Sequence, residues 1–284
     1  MIKLSKKDAE IYVPDGGEAQ DALAKTTRLA ISAHQDDIEF MAYSAIAECF
    51  RKPNKGFSAV VMTDGAGSPR AGVYADCTDA DMIKIRKREQ KTAADIGGYK
   101  SLALLGYPSA ELKDRKNAAP QADLTAILRA AAPEFVYTHN LADKHDTHVA
   151  VAARVLDAIR SLPKSERPKK VFGCEVWRSL DWLDDAQKVM LDCADRLNLA
   201  AALMGVFDSQ ISGGKRYDTA VFGRRSANAT FSASHGVDDY TQVAYAMDLT
   251  PLIENDGLSY ADFAAAHIDA FRSDVINRLN KFKG

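Results

Sequence analysis

The sequence is short of cysteine, has no long apolar run and carries no excess of either charge. Its four cysteines, Cys49, Cys77, Cys174 and Cys193, stand far apart and form no CxxC pair. That spacing argues against a thiolate zinc site and against a disulfide framework, and it fits a reducing compartment. No stretch approaches the roughly 18 consecutive apolar residues of a membrane-spanning helix. Met1 to Tyr12 holds no apolar core of about seven residues, so no signal peptide is expected and a cytoplasmic location is. Lys and Arg number 37 against 39 Asp and Glu, a formal net charge of -2. Such a balance gives no reason to expect nucleic acid or an anionic membrane as partner. Repeats, low-complexity tracts and interdomain linkers are absent. Gly65-Ala66-Gly67 and Gly213-Gly214 lack the strand-to-helix setting of a nucleotide-binding fingerprint.

What is present is an ordinary globular composition over 284 residues, 46% apolar and 27% charged. That suits one α/β domain spanning 1–284, with a Rossmann-like core over 1–165 and a less regular part, 166–284, completing the sheet and the pocket. Short apolar runs alternate with helical patterns. Arg28–Ala33, Phe57–Met62, Ser101–Leu105 and Phe135–Thr138 read as strands. Helices are expected over about Ile38–Phe50, Met82–Ile96 (capped by Asp79 or Asp81), Ala122–Ala132 and Thr147–Leu162. This alternation implies βαβ units and a mostly parallel sheet. Further on, Val171–Trp177 and Tyr217–Phe222 read as strands, Ala186–Met204 and Tyr260–Leu279 as helices.

Histidine is scarce and placed informatively. There are six, and His34, His139, His145 and His148 all follow the first or fourth expected strand. Ligands of open α/β sheets bind beyond the carboxyl ends of the strands, where the strand order reverses. With an order 3-2-1-4, strands one and four flank that crevice. One polar cluster is His34-Gln35-Asp36-Asp37, where a strand turns into a helix; the other is His145-Asp146-Thr147-His148, opening the helix after strand four. His34, Asp37 and His148 would supply two imidazoles and a carboxylate, leaving a fourth tetrahedral position for water. Zinc suits such a set, and another divalent transition metal is not excluded by it. Asp36 is then the candidate base, and His145 the group that steadies the oxyanion or protonates the leaving group. Each feature alone has a plainer explanation. An Asp-Asp pair at a strand end usually caps a helix, and a lone histidine is usually a surface or core residue.

Beyond these clusters, Thr63-Asp64-Gly65, Arg86 to Gly97 and Leu104-Leu105-Gly106-Tyr107-Pro108 complete an ordered series that resembles the PIG-L/LmbE-like family of N-acetylsugar deacetylases. The likeness runs from about Arg28 to Ile159, with a looser echo in Phe207-Asp208-Ser209-Gln210. It implies a Rossmann-like fold and zinc-dependent hydrolysis of an acetamido group on a small-molecule or glycan substrate, giving amine and acetate. It also implies His34, Asp37 and His148 as zinc ligands, Asp36 as general base and His145 as the assisting histidine. This sequence departs from the family pattern by Gln35 for Pro, Ile38 for Glu, Thr147 for an Asp that orients the assisting histidine, and Ser109 for Asp. Asp143 or Asp146 is a candidate to stand in for that orienting Asp. Three residues are candidates for the substrate side. Arg86 would contact a sugar or phosphate, or else form a surface pair with Glu89. Asp64 would support the metal site or the substrate, and Trp177 would stack on a sugar ring or sit in the core. Alternatives stay open: an amidohydrolase on a non-sugar N-acyl substrate, or a non-catalytic sugar-binding relative. A homo-oligomer is also left open.

Overall fold

The computed structural model describes residues 2–283 and is built on one eight-stranded mixed sheet flanked by helices. Its strands are β1 (Glu10–Tyr12), β2 (Arg28–Ser32), β3 (Phe57–Thr63), β4 (Ser101–Tyr107), β5 (Phe135–His139), β6 (Lys170–Cys174), β7 (Lys188–Asp192) and β8 (Val243–Asp248). They lie in the order β1-β4-β3-β2-β5-β6-β8-β7. From β4 through β6 the pairing is parallel, and β1, β7 and β8 add antiparallel edges. The order expected for the four core strands is therefore the one observed, as β4-β3-β2-β5.

Helices cover both faces, which explains why the central strands read as unbroken apolar runs. Side chains alternate between faces along each strand. Leu29, Ile31, Val60, Met62 and Val136 pack on one side; Ala30, Ala59, Val61, Leu102 and Tyr137 pack on the other. The helix Asp146–Arg160 seals the first face with Val151, Val155, Leu156 and Ile159.

Four local expectations are corrected. The helix expected over 38–50 breaks at Ala42 (φ -121°, ψ 20°) into Asp37–Met41 and Tyr43–Cys49. The helix Asp79–Gly97 is capped by Thr78, whose hydroxyl accepts from the Asp81 N–H while Asp81 accepts in return. Ala186–Met204 is not one helix: Lys188–Asp192 forms the edge strand β7 and only Leu197–Gly205 is helical. Tyr217–Phe222 is no strand but the start of the helix Tyr217–Thr230. The strand β8, Val-Ala-Tyr-Ala-Met-Asp, went unforeseen although it is buried over five of its six residues.

Candidate metal centre and cleft

Two strands deliver the site. β2 ends at Ser32, and the chain turns through His34 to Asp37 before the helix Asp37–Met41 begins. Neighbouring β5 ends at His139 and leads to His145, which opens the helix Asp146–Arg160. Since β2 and β5 are adjacent and parallel, both polar clusters meet at one crevice. The β2 turn is constrained. Asp36 adopts a left-handed φ of 80°, a conformation that disfavours a residue with a Cβ. Its N–H donates to Gln90 Oε1 at 3.0 Å, and Gln35 Nε2 donates to the Thr63 carbonyl at 3.1 Å.

Three donor atoms converge. His34 Nδ1 lies 3.2 Å from Asp37 Oδ2 and 3.1 Å from His148 Nε2, and His148 Nε2 lies 3.3 Å from Asp37 Oδ2. Donors bound tetrahedrally to zinc at about 2.0–2.1 Å would be separated by about 3.3–3.4 Å. The triangle is thus close to one face of such a tetrahedron, and the residues fit a metal ion. Burial drives the Asp37 carboxyl up, but His148, His34 and His139 outweigh it and hold it well below the usual carboxylate range. Burial lowers the His148 imidazole, yet Asp37 and Asp143 more than reverse this and push it up to about 9. A positive charge is thus favoured among these donors, which a metal ion would also supply.

The surrounding residues fix the triangle. Asp143 Oδ2 sits 3.3 Å from His148 Nδ1 and turns the other ring nitrogen toward the cluster. His139 was not singled out from the sequence beyond its position after the strand. It is fully buried and stacks on His148 with ring centroids 3.8 Å apart at 18°. Its Nε2 accepts the Ala33 N–H at 2.8 Å, so that lone pair is already used and His139 serves as a wall rather than a ligand. A signal existed: it is the last residue of β5, directly opposite the β2 turn.

Asp36 lines the cleft next to the triangle. Burial pushes its carboxyl up to about 7 against the pull of Arg86, with neighbouring Asp37 adding to the rise. Its Oδ2 accepts from Arg86 Nη2 at 3.1 Å, while no hydrogen bond among the described residues uses Oδ1. Arg86 is therefore no surface residue: it is 2% exposed, paired with Asp36 and Glu89, and also donates to the Gln35 carbonyl. His145 packs edge-on to His34 and stacks on His148 at 4.6 Å. Its Nδ1 is buried without a hydrogen-bond partner among the described residues. Neither candidate for its orientation reaches that ring. From His145, Asp143 accepts the backbone N–H and not the ring, its other oxygen serves His148, and Asp146 is exposed.

Asp64 lines the cleft but contacts no residue of the triangle; its Oδ1 accepts the Ala66 N–H at 3.0 Å and shapes its own loop. Gly65 beside it (φ 81°) cannot be replaced freely, since a Cβ would meet Gln35 Oε1 at 2.7 Å and Arg86 Cβ at 3.1 Å. Trp177 lies beyond the end of β6 rather than within it, half-buried, facing His145 at 6.5 Å and Tyr217 at 5.9 Å. The cleft has a volume of about 840 Å³, enough for a sugar-sized ligand.

Comparison with known proteins follows this geometry. Residues 29–159 match the model of the PIG-L family, described as GlcNAc-PI de-N-acetylase. That stretch, which contains every donor of the triangle, is similar to the PIG-L family. Among solved structures, N,N'-diacetylchitobiose deacetylase from Pyrococcus horikoshii is similar at 15% identity and a TM-score of 0.62, covering 80% of this chain and 85% of that one. The 4-carboxy-2-hydroxymuconate hydratase GalB from Pseudomonas putida KT2440 matches at 18% identity and 0.58, covering 79% and 96%. The A40926 pseudoaglycone deacetylase Dbv21 matches at 18% and 0.55, covering 79% and 97%. These likenesses show that the chain has their α/β fold. No helix among the described residues is long and apolar enough to cross a membrane.

Proposed function

We propose that the protein is a zinc-dependent N-deacetylase that removes an acetyl group from an N-acetylated amino sugar or glycoconjugate, leaving the amine and acetate. The observation that carries this reading is the triangle of His34 Nδ1, Asp37 Oδ2 and His148 Nε2, with edges of 3.1 to 3.3 Å, beneath a sugar-sized cleft. The PIG-L match over the same residues supports it. A zinc ion held there would polarise the acetyl carbonyl and bring the pKa of water beside it to about 7.

The chain's own groups do the rest. Asp36 lines the cleft while Arg86 holds its Oδ2, leaving Oδ1 without a hydrogen bond among the described residues. From there it accepts a proton from the attacking water and returns it to the departing amine nitrogen. A carboxyl pushed up to about 7 is suited to both halves of that transfer. His145 lines the same cleft and donates to the oxygen that gains charge as the carbonyl carbon becomes tetrahedral. Trp177 and Tyr217 form the apolar wall on which the sugar ring rests.

The test is metal analysis joined to acetate release. Purified protein should hold about one zinc per chain and release acetate from N-acetylated sugars. Asp36→Asn should keep the zinc and lose turnover by on the order of 10²-fold or more, the usual reach of a general base. A protein that binds no divalent metal, or an Asp36→Asn variant with unchanged turnover, would refute the assignment.

A further inference from the structure

The cleft carries charge that neither the metal triangle nor the hydrolysis accounts for. Lys113, Lys144, Lys215 and Arg224 all line it, in a protein whose formal net charge is -2. Other cations in the cleft are already committed. Arg86 holds Asp36 and Glu89, and Arg225 donates to the carbonyls of Glu39 and Phe40. The first four are different. Among the described residues none is ion-paired to a carboxylate, and only Arg224 is partly engaged, donating to the Val176 carbonyl. Free ammoniums on a surface are common, but here two of them converge on one side chain. Lys144 Nζ lies 5.9 Å and Lys215 Nζ 5.2 Å from the centre of the Trp177 ring. They come from distant parts of the chain, the loop after β5 and the segment before the helix Tyr217–Thr230. The indole attracts each of them weakly through its ring face and keeps both at the cleft.

Two ammoniums held at one ring in the cleft offer an entering anion two positive partners. We propose that Lys144 and Lys215, around Trp177, form a subsite for an anionic substituent of the substrate, a phosphate or a carboxylate carried a few bonds from the N-acetyl group. Resting on the deacetylase reading of the same cleft, this narrows the substrate class to acidic N-acetyl sugars. Trp177 then has a double role, as platform for the ring and as the post that positions the two cations. Lysine suits this task because its compact ammonium neutralises an anion without the fixed geometry that a guanidinium demands.

The experiment uses the deacetylated amines, which are not consumed. Glucosamine, glucosamine 6-phosphate and muramic acid are titrated calorimetrically into the zinc-loaded protein, in low salt and in 0.5 M NaCl. At least one acidic amine should bind about ten-fold or more tightly than glucosamine, and the advantage should shrink in high salt as charges are screened. The phosphate and carboxylate arms identify which anion is preferred. Lys144→Ala/Lys215→Ala should level the three affinities, and the double Glu variant should reverse the order. Both lysines are exposed, so neither change threatens folding. Equal binding of all three amines by the wild type, no binding of any, or a preference for the acidic amines that survives both variants (direct capture by the metal) overturns the subsite. Acetate release from the three N-acetyl forms is measured in parallel. Lysine-dependent anion binding without any release refutes the deacetylase reading and leaves the subsite standing; release without anion preference does the opposite.

Discussion

Single residues around the triangle carry different burdens. Asp143 touches no metal-facing atom, yet its carboxylate fixes His148 through Nδ1 and also accepts the Trp177 N–H at 3.2 Å. Outer partners of this kind usually contribute 10- to 100-fold in metal affinity, about 1.4–2.7 kcal/mol. Asp143→Ala should therefore weaken zinc binding by about that factor in a chelator competition, while Asp143→Asn, which keeps an acceptor oxygen, should lose less. Equal affinities for wild type and Asp143→Ala would show that His148 orients itself. Glu39 makes a different prediction. It is buried, accepts from Gln90 Nε2 at 2.8 Å and Tyr99 Oη at 2.6 Å, and burial pushes its carboxyl up from 4.5 to about 8. The native state thus keeps a proton that the unfolded chain releases. The stabilisation is complete below about pH 4.5 and is lost as pH rises toward about 8, at up to about 1.4 kcal/mol per pH unit. Glu39→Gln removes this dependence. Urea midpoints at pH 5 and pH 8 should show the variant gaining on the wild type as pH rises; parallel changes in the two proteins would mean that Glu39 stays ionised.

At the scale of elements, legibility followed the source of the stabilising contacts. β2, β3, β4 and β5 were readable because each is apolar on both sides and sits at the centre of the sheet, where pattern and burial agree. The three converging donors were readable as a cluster because they follow two such strands. β7 was not, because it is an edge strand with only Leu191 buried, and its conformation comes from pairing with β8 rather than from its own residues. The helix Tyr217–Thr230 opens with Tyr-Asp-Thr-Ala-Val-Phe, a β-like composition that packing against β8 and the helix Asp37–Met41 overrides; Arg225 from it holds the carbonyls of Glu39 and Phe40. His145's lack of an orienting carboxylate was suggested by Thr147, but that neither Asp143 nor Asp146 fills the role needed the three-dimensional contacts. The loop after β3 offers a test at this scale. Gly65 must adopt φ 81° with its backbone against Gln35 and Arg86. Gly65→Ala should destabilise the protein by about 1–3 kcal/mol through strain and contact. It should also lower turnover, because Arg86 holds Asp36 and Gln35 ties the same turn to Thr63. A variant as stable and active as wild type would show that this loop yields easily.

For the whole molecule, the fold does not choose the reaction, since the solved structures it resembles include a hydratase as well as deacetylases. The choice rests on whether the triangle holds a metal and on what enters the cleft, and a bound metal should be measurable in the stability of the whole chain. The triangle joins β2 to β5 across the crevice, so an ion bound there stabilises the folded state and not the unfolded chain. At free zinc about a hundred-fold above its dissociation constant the gain is about 2.7 kcal/mol. For a chain of this length that corresponds to roughly 5–10 °C in Tm. Stripping the metal with a chelator should lower Tm by that amount, and adding zinc back should restore it. Asp37→Ala removes the negative donor while leaving His34 and His148 together, so its Tm should not respond to zinc. His139→Phe tests the boundary of the site. It removes the acceptor for the Ala33 N–H, so the protein should be destabilised. Its Tm should still rise with zinc, because His139 Nε2 is not one of the three donors. A His139→Phe protein that no longer responds to zinc would move the metal deeper, toward the Asp37, His139 and His148 group, and away from the cleft where Asp36 and His145 wait for substrate.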